Sequence, residues 1–160
     1  MSGDRGFTLI EVMITIAVFV ILVSVAVPGF QSLVQNHRAT STANELTTTF
    51  HYARTEAVRR GLPVSVCPQD ASDWAQGWQV LAAGACATGN SLRDREALAV
   101  TIVIDASGAG SDRVTFDGLG ARLSDAIQFK VESQGCSGER AREIRIGPGG
   151  QVALRQASCS

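Results

Sequence analysis

The sequence has almost no excess charge and few of the residues that build metal sites. Its 14 lysines and arginines against 15 aspartates and glutamates leave a formal net charge of −1. No overall field therefore favours nucleic acid or acidic partners. The four cysteines include no C-x-x-C pair, and both histidines, His37 and His51, lie far from them in sequence. A zinc site is not expected.

Catalytic and ligand-binding motifs are also lacking. No serine or cysteine motif has a nearby base, and both histidines fall on a predicted helix, so we do not expect an enzyme. The segment DASGAGSD starts like a calcium loop, but Ala109 and Phe116 occupy its fifth and twelfth positions and supply no side-chain oxygen. The turn at 147–150 lacks the lysine and the following helix of a phosphate loop. Neither a metal nor a cofactor is predicted.

Proline and charge are scarce near the N-terminus. From Phe7 to Val27 there is no proline and one formal charge, Glu11. A helix over this run would span about 30 Å, the thickness of a bilayer core. An unpaired carboxylate deep in a bilayer costs on the order of 2.5 kcal/mol or more, so Glu11 should lie near the interface or have a partner.

Two ordinary interpretations of this segment are weighed. A cleaved secretory signal could use Ser24-Val25-Ala26 as its cleavage site. This interpretation is disfavoured because the hydrophilic segment before the apolar run is short, and because a glutamate within the apolar run is unusual for a signal peptide. A plain single-span anchor leaves Glu11 without a role.

The rest of the chain predicts an α+β fold. After Pro28, which should kink or end the first helix, an amphipathic helical pattern continues and stops near Gly61. From Pro63 the period changes to two, as in PVSVC, GWQVL, LAVTIVI and AIQFKVES. EIRI and QVALR form a predicted hairpin around 147–150. We expect a long helix packed on a mainly antiparallel sheet.

The four cysteines all follow the apolar segment, and their even number favours disulfides in an exported domain. Sequence order suggests the pairs Cys67–Cys86 and Cys136–Cys159, although four cysteines permit three pairings.

The string RGFTLIEV resembles the class III signal of type IV pilins and type II secretion pseudopilins. The resemblance implies cleavage after Gly6 by a membrane prepilin peptidase, followed by N-methylation of Phe7. Pro28 matches the family's helix-loosening proline. The implied organisation is a leader at 1–6, a transmembrane and assembly helix at 7–28, an amphipathic half-helix at 29–62 and a periplasmic β-rich domain at 63–160.

In this family the new amine and the glutamate of neighbouring subunits meet in a dry helical core, where a charge pair interacts far more strongly than in water. Glu11 is therefore expected to be an assembly residue. The implied partners are other minor and major pilins, the peptidase and the inner-membrane assembly platform. The implied location is the inner membrane, with one span and a periplasmic C-terminal domain, and then the pilus fibre.

The segment ANELTTTFHYARTEAVRRGLPVSVC resembles the FimU/FimT–GspH group of minor pilins and pseudopilins, and so do Cys67-Pro68, the Trp74 and Trp78 element and the cysteine-closed C-terminus. We interpret the helical part of this signature as helix–sheet packing, although Arg54 and Glu56 could simply be solvated. The two tryptophans are interpreted as core residues rather than a ligand site.

The resemblance implies a pilin-like fold and a minor pilin that primes pilus assembly and enters the fibre at its tip. The alternatives are a DNA-binding minor pilin for natural transformation and a GspH-like pseudopilin of type II secretion. DNA binding is not favoured, because Gln151 and Ala153 stand where the DNA-binding members carry the arginines of a Gly-Arg-x-Arg motif. Its candidate contacts would be Arg140, Arg142, Arg145 and Arg155.

Overall fold

The computed structural model describes residues 7–70, 73–86, 90–108, 111–123 and 126–160, and within the helix it leaves the side chains of Pro28 and Ser32 undescribed. The predicted leader at 1–6, including Gly6, and the calcium-loop position Ala109 lie outside the described residues. The chain divides into two compact units, residues 1–34 and 35–160.

One helix, α1 (Leu9–Arg60), contributes to both units. Helical backbone continues through position 28, so Pro28 does not end the helix. The helix ends one residue before Gly61, whose φ of +63° is the left-handed conformation that commonly follows a helix C-terminus. The predicted helix end near Gly61 is confirmed.

The first unit contains the apolar part of α1. Its stretch Leu9–Val27 is long and apolar enough to cross a membrane, and none of this stretch is buried within the chain. Large apolar side chains such as Phe7, Ile16 and Phe19 are more than half exposed. Because such surface is unfavourable in water, this stretch requires lipid or other protein around it.

In its described residues the second unit contains eight strands after the helical residues 35–60. They are β1 (Val64–Asp70), β2 (Asp73–Leu81), β3 (Ser91–Arg95), β4 (Ile102–Ser107), β5 (Val114–Phe116), β6 (Ile127–Ser133), β7 (Ala141–Ile146) and β8 (Val152–Ala157). They form two four-stranded sheets in the orders β3-β2-β1-β5 and β4-β6-β7-β8. All pairs among these eight strands are antiparallel.

The sheets confirm the predicted α+β class and the predicted hairpin, which is β7–β8. The antiparallel strands divide between two sheets: β1 pairs with β2 and β5, while β6 and β7 belong to the second sheet. Strands β3 and β5 were not predicted. Strand β3 has three charged residues in five, and β5 has only three residues, so neither shows a period-two pattern. The predicted strand LAVTIVI begins late, at Ile102.

The core lies between the helix and both sheets. Helix residues at spacings of three and four are buried, among them Leu46, Phe50 and Ala53. The Phe50 ring lies 5.1 Å from Phe129 of β6, and the Trp74 ring of β2 lies 4.8 Å from Phe129. The helix and the two sheets therefore meet in one aromatic cluster.

Candidate functional site

Two of the predicted site residues lie at the N-terminal end of α1: Phe7 stands two residues before the helix, and Glu11 is in its first turn. Thr8 precedes the helix, and its Oγ1 accepts a hydrogen bond from the Glu11 amide at 3.4 Å. With threonine at the cap and glutamate three residues later, the turn has the sequence of a capping box. Both Phe7 and Glu11 are exposed. The Glu11 carboxylate forms no salt bridge with any residue in the described part of the chain.

Near the other end of α1, Arg54 joins the helix to two loops. Its Nε donates to the carbonyl oxygen of Gly120 at 2.9 Å, and its Nη2 donates to the carbonyl oxygen of Gly149 at 3.1 Å. Gly120 belongs to the β5–β6 connection and Gly149 to the β7–β8 turn. We call these three residues the helix-end clamp. The planar guanidinium suits this task because its donors point in fixed directions.

Two glycines let the loops approach the clamp. Gly150 has a φ of +75°, and a Cβ atom there would lie 2.0 Å from the carbonyl oxygen of Gly120. Gly120 has a φ of +80°, and its Cβ would lie 2.9 Å from Cγ2 of Val58. Both positions combine a left-handed backbone with close contact, so they require glycine.

Two residues further along α1, Glu56 is buried with its charge compensated. It accepts hydrogen bonds from Arg59 Nε at 2.9 Å and from Arg60 Nε at 2.9 Å. These hydrogen bonds, first from Arg59 and then from Arg60, lower the pKa of the Glu56 carboxyl to about 2. The helix signature therefore has a structural role: Arg54 holds loops, and Glu56 is paired rather than solvated.

The two tryptophans are core residues, as predicted. Trp74 and Trp78 are 0% and 1% exposed. Their indole nitrogens are satisfied internally: Trp74 Nε1 donates to the Ser111 carbonyl oxygen at 2.9 Å, and Trp78 Nε1 donates to Thr49 Oγ1 at 3.2 Å. No indole edge is left for a ligand.

The structure bonds Cys67 to Cys86 and Cys136 to Cys159, one of the three pairings that the sequence permits. Glu132 lies close to the second bridge. This cluster is a poor metal site, because the thiolate form that binds metal does not exist in a disulfide.

The four arginines named as possible DNA contacts do not share one surface. Arg145 and Arg155 lie on one face of the second sheet. Arg142 is three residues before Arg145 in β7, so it lies on the opposite face. Arg140 lies before β7. Glu143 separates the first two: its Oε1 accepts from Arg145 Nε at 2.7 Å, and it stands directly opposite Arg155.

The surroundings of two arginines were not anticipated from the sequence. The partners of Arg54 are backbone carbonyls 66 and 95 positions away, and a carbonyl leaves no residue-type signal. Arg122 lies in the connection between β5 and β6. Its Nε and Nη1 are shielded from solvent, and no described residue accepts a hydrogen bond from them.

Family models match most of the chain. One, described as "Type II transport protein GspH", matches residues 42–150, and another, described as "Prokaryotic N-terminal methylation motif", matches residues 1–27. Two proteins of Moraxella bovis, "Type IV major alpha-pilin" and "Fimbrial protein Q", are each 41% identical over 46 residues. These matches span 29% of this chain and 29% of each relative.

Solved structures share the fold. The type IV minor pilin FimU of Pseudomonas aeruginosa is similar in two crystal forms, with 24% identity, a TM-score of 0.60 and coverage of 76% of this chain and 99% of that one. The second form has 22% identity, a TM-score of 0.63 and coverages of 80% and 99%. The minor pseudopilin EpsH from the type 2 secretion system of Vibrio cholerae has 12% identity, a TM-score of 0.56 and coverages of 74% and 97%.

These similarities establish a pilin-like fold. Because the GspH model covers 42–150, more than half of the chain, and the methylation motif precedes it, the chain belongs to the GspH family, within the class of type IV pilins and type II secretion pseudopilins.

Proposed function

We propose that this chain is a minor pilin that helps to prime a type IV pilus and is incorporated at the fibre tip. One observation carries the proposal: no residue of the apolar stretch Leu9–Val27 is buried within its own chain, and the stretch has a single carboxylate, Glu11, in its first turn. The family is one of structural proteins, so the proposed action is assembly rather than catalysis.

Maturation would create the partner of that carboxylate. Cleavage between Gly6 and Phe7 by the prepilin peptidase leaves an amine, which is then methylated. In a bundle of such helices the amine of one subunit can meet Glu11 of its neighbour. A buried charge that has lost its partner costs roughly 3–5 kcal/mol. Pairing the amine with Glu11 avoids this cost, so it would stabilise each subunit within the polymer. Pro28 would add flexibility to the assembly helix.

The proposed location follows from the same features. The helix would hold the subunit in the inner membrane until the assembly platform transfers it to the fibre with other minor and major pilins. Two disulfides suit an oxidising compartment, which supports a periplasmic domain.

Two alternatives remain within the family. A type II secretion pseudopilin would use the same helix and domain, and the relatives include both classes. A DNA-binding minor pilin receives less support, since Glu143 lies between the candidate arginines and a duplex favours an extended basic surface.

The test compares sheared surface pili from a deletion strain carrying wild-type, Glu11→Gln, Glu11→Ala or Ile14→Ala genes, with transformation and protein secretion scored beside them. Glutamine can still serve in a capping box but has no charge. Loss of pili with both Glu11 variants, and normal pili with Ile14→Ala, is expected if the charge matters.

Normal piliation in the deletion strain would contradict the proposal. Failed transformation alone would then point to DNA uptake, and failed secretion alone would point to a pseudopilin. Piliation with Glu11→Gln but not with Glu11→Ala would assign Glu11 to helix capping instead of charge pairing.

A further inference from the structure

The second disulfide, Cys136–Cys159, has a carboxylate beside it. An oxygen of Glu132 and the two sulfur atoms all lie within 4.8 Å of one another. Among the described residues, no carboxylate or histidine forms such a cluster with the other bridge, Cys67–Cys86. The two bridges therefore differ in the charge around them, and neither the family assignment nor the proposed function uses this difference.

The Glu132 carboxylate is held in place and largely shielded from solvent. Its Oε2 accepts a hydrogen bond from the Ser160 amide at 3.0 Å, and its side chain is 12% exposed. The Nζ of Lys130 lies 3.7 Å from the same oxygen. Asp105 stands directly opposite this lysine on β4 and forms no salt bridge with the described residues. One lysine therefore lies between two carboxylates, and its charge does not cancel that of Glu132.

The bridge is open to a small thiol. Both of its cysteines are half-buried rather than enclosed. The loop that carries Cys136 has free space beside it, because a Cβ atom at Gly135 or Gly138 would meet nothing within 4 Å. All of residues 126–160 are described, so every charged side chain of this loop and of the strands on either side of it is accounted for.

Reduction of the bridge brings negative charge to its sulfurs. A thiolate attacks one sulfur, the bond between the two cysteines breaks, and its electron pair leaves on the other sulfur as a thiolate. A second reagent thiolate then attacks the mixed disulfide, so the reagent is oxidised to its own disulfide and the bridge is reduced to two thiols. At the separation of Glu132 from these sulfurs, repulsion between two unit charges in water slows the attack roughly fourfold.

From this geometry we infer that Glu132 determines which thiols exchange with the Cys136–Cys159 bridge. Its carboxylate disfavours anionic thiols and leaves the bridge reactive towards a thiol with a positive charge beside its sulfur. Glu132 is thus a specificity-determining residue for thiol–disulfide exchange. This assignment does not depend on the proposed function.

The test uses the full chain in nonionic detergent at low ionic strength, with two small thiols of opposite charge, mercaptoethanesulfonate and cysteamine. Freed cysteines are alkylated at successive times and located by mass spectrometry, which gives each bridge its own rate constant per thiolate. Glu132→Gln should raise the rate constant of the second bridge roughly fourfold with mercaptoethanesulfonate. With cysteamine the increase should be less than about twofold, because the ammonium group offsets the charge on its sulfur. Added salt should reduce the difference.

Glutamine keeps an oxygen that can accept the hydrogen bond from the Ser160 amide, so the variant changes the charge and not the acceptor. The Cys67–Cys86 bridge is the internal reference, and its rate constants should not change in this variant. Glu96→Gln, at another exposed carboxylate, is the matched control and should leave both bridges as in the wild type.

Two results would overturn the inference. One is an equal acceleration with both thiols in Glu132→Gln, which would mean that the substitution loosens the C-terminal segment instead of removing a repulsive charge. The other is no change with either thiol, which would mean that the carboxylate does not influence the attack.

Discussion

The Nε of Arg54 donates a hydrogen bond to the carbonyl oxygen of Gly120 across 66 positions of sequence, at 2.9 Å. Through this contact and its second bond, to Gly149, one helix residue holds the loops that leave both sheets. Because Arg54 binds both loops, it holds the corresponding ends of the two sheets against the same part of the helix.

Replacing Arg54 by Met should lower the free energy of unfolding by about 2–4 kcal/mol, because two hydrogen bonds from a charged donor are lost and two carbonyls are left without it. Arg54→Lys should recover less than half of this loss, since an ammonium group lacks the planar fork. Urea unfolding of the full chain in detergent, followed by tryptophan fluorescence, measures both.

Arg38→Met is the matched control, at an exposed arginine of the same helix. It should change the free energy of unfolding by less than about 0.5 kcal/mol. An equally small effect of Arg54→Met would mean that the clamp contributes nothing to stability.

A pair of glycine substitutions separates steric contact from backbone strain. Gly135 and Gly150 have nearly equal φ angles of +72° and +75°, but a Cβ at Gly135 meets nothing within 4 Å, whereas one at Gly150 meets the Gly120 carbonyl oxygen at 2.0 Å. Gly135→Ala should cost about 1–2 kcal/mol from the left-handed conformation alone. Gly150→Ala should cost clearly more, because the loop must also move.

The same urea unfolding measurement decides the comparison. Equal losses at the two positions would show that the loops separate without penalty and that the close approach at Gly150 is unimportant.

The low pKa of Glu56 predicts a pH-dependent part of the stability. Its pKa of about 2 in the folded chain is below the ordinary value of 4.5, so the folded state favours the charged form. The resulting stabilisation is fully present above pH 4.5 and is lost as the pH falls towards 2. Wild type should therefore be more stable than Glu56→Gln at pH 6, and the difference should shrink between pH 4.5 and 2.

Glu96→Gln provides the comparison, because Glu96 is exposed and forms no salt bridge with the described residues. Its stability difference from wild type should stay nearly constant over this range. A Glu56→Gln difference that is independent of pH would contradict the arginine pairing.

Removing the bridge between Cys136 and Cys159 with a double serine substitution should lower the free energy of unfolding by about 3 kcal/mol, as expected for a closed loop of this size. The folded chain should keep β8 paired, because the Gln156 side chain still donates to the Glu139 carbonyl oxygen at 2.6 Å.

Hydrogen exchange checks that second expectation. Faster exchange should be confined to the last few residues after β8. Loss of protection throughout β7 and β8 would show that the bridge, and not the strand pairing, holds the C-terminal hairpin.

The elements with strong local patterns were predictable. Ile127, Phe129 and Val131 alternate with polar residues and form β6, and the helix ends where Gly61 permits a left-handed turn. Strand β3 was not predictable, since a polar edge strand such as SLRDR has no apolar alternation and forms only because β2 is there to pair with it.

The candidate site was likewise predictable only where the signal is local in the sequence. Glu11 stands out because a carboxylate in an apolar run is rare, which is a local property of the sequence. Arg54 stands out only as part of the family signature, and its contacts could not be predicted because they depend on distant backbone atoms. Contacts to carbonyl oxygens can be found only once the chain is folded.

The helix-end clamp binds backbone carbonyl oxygens, so it does not depend on the side chains of the loops that it holds. Leu119, at the tip of the clamped loop, is 89% exposed and contributes no side-chain atom to the clamp. A substitution at this tip leaves the hydrogen bond from Arg54 to the Gly120 carbonyl oxygen in place, whereas an insertion or deletion that displaces this carbonyl breaks it. Descendants of this scaffold could therefore diversify the surface they present by substitution alone, at constant loop length and without a new fold.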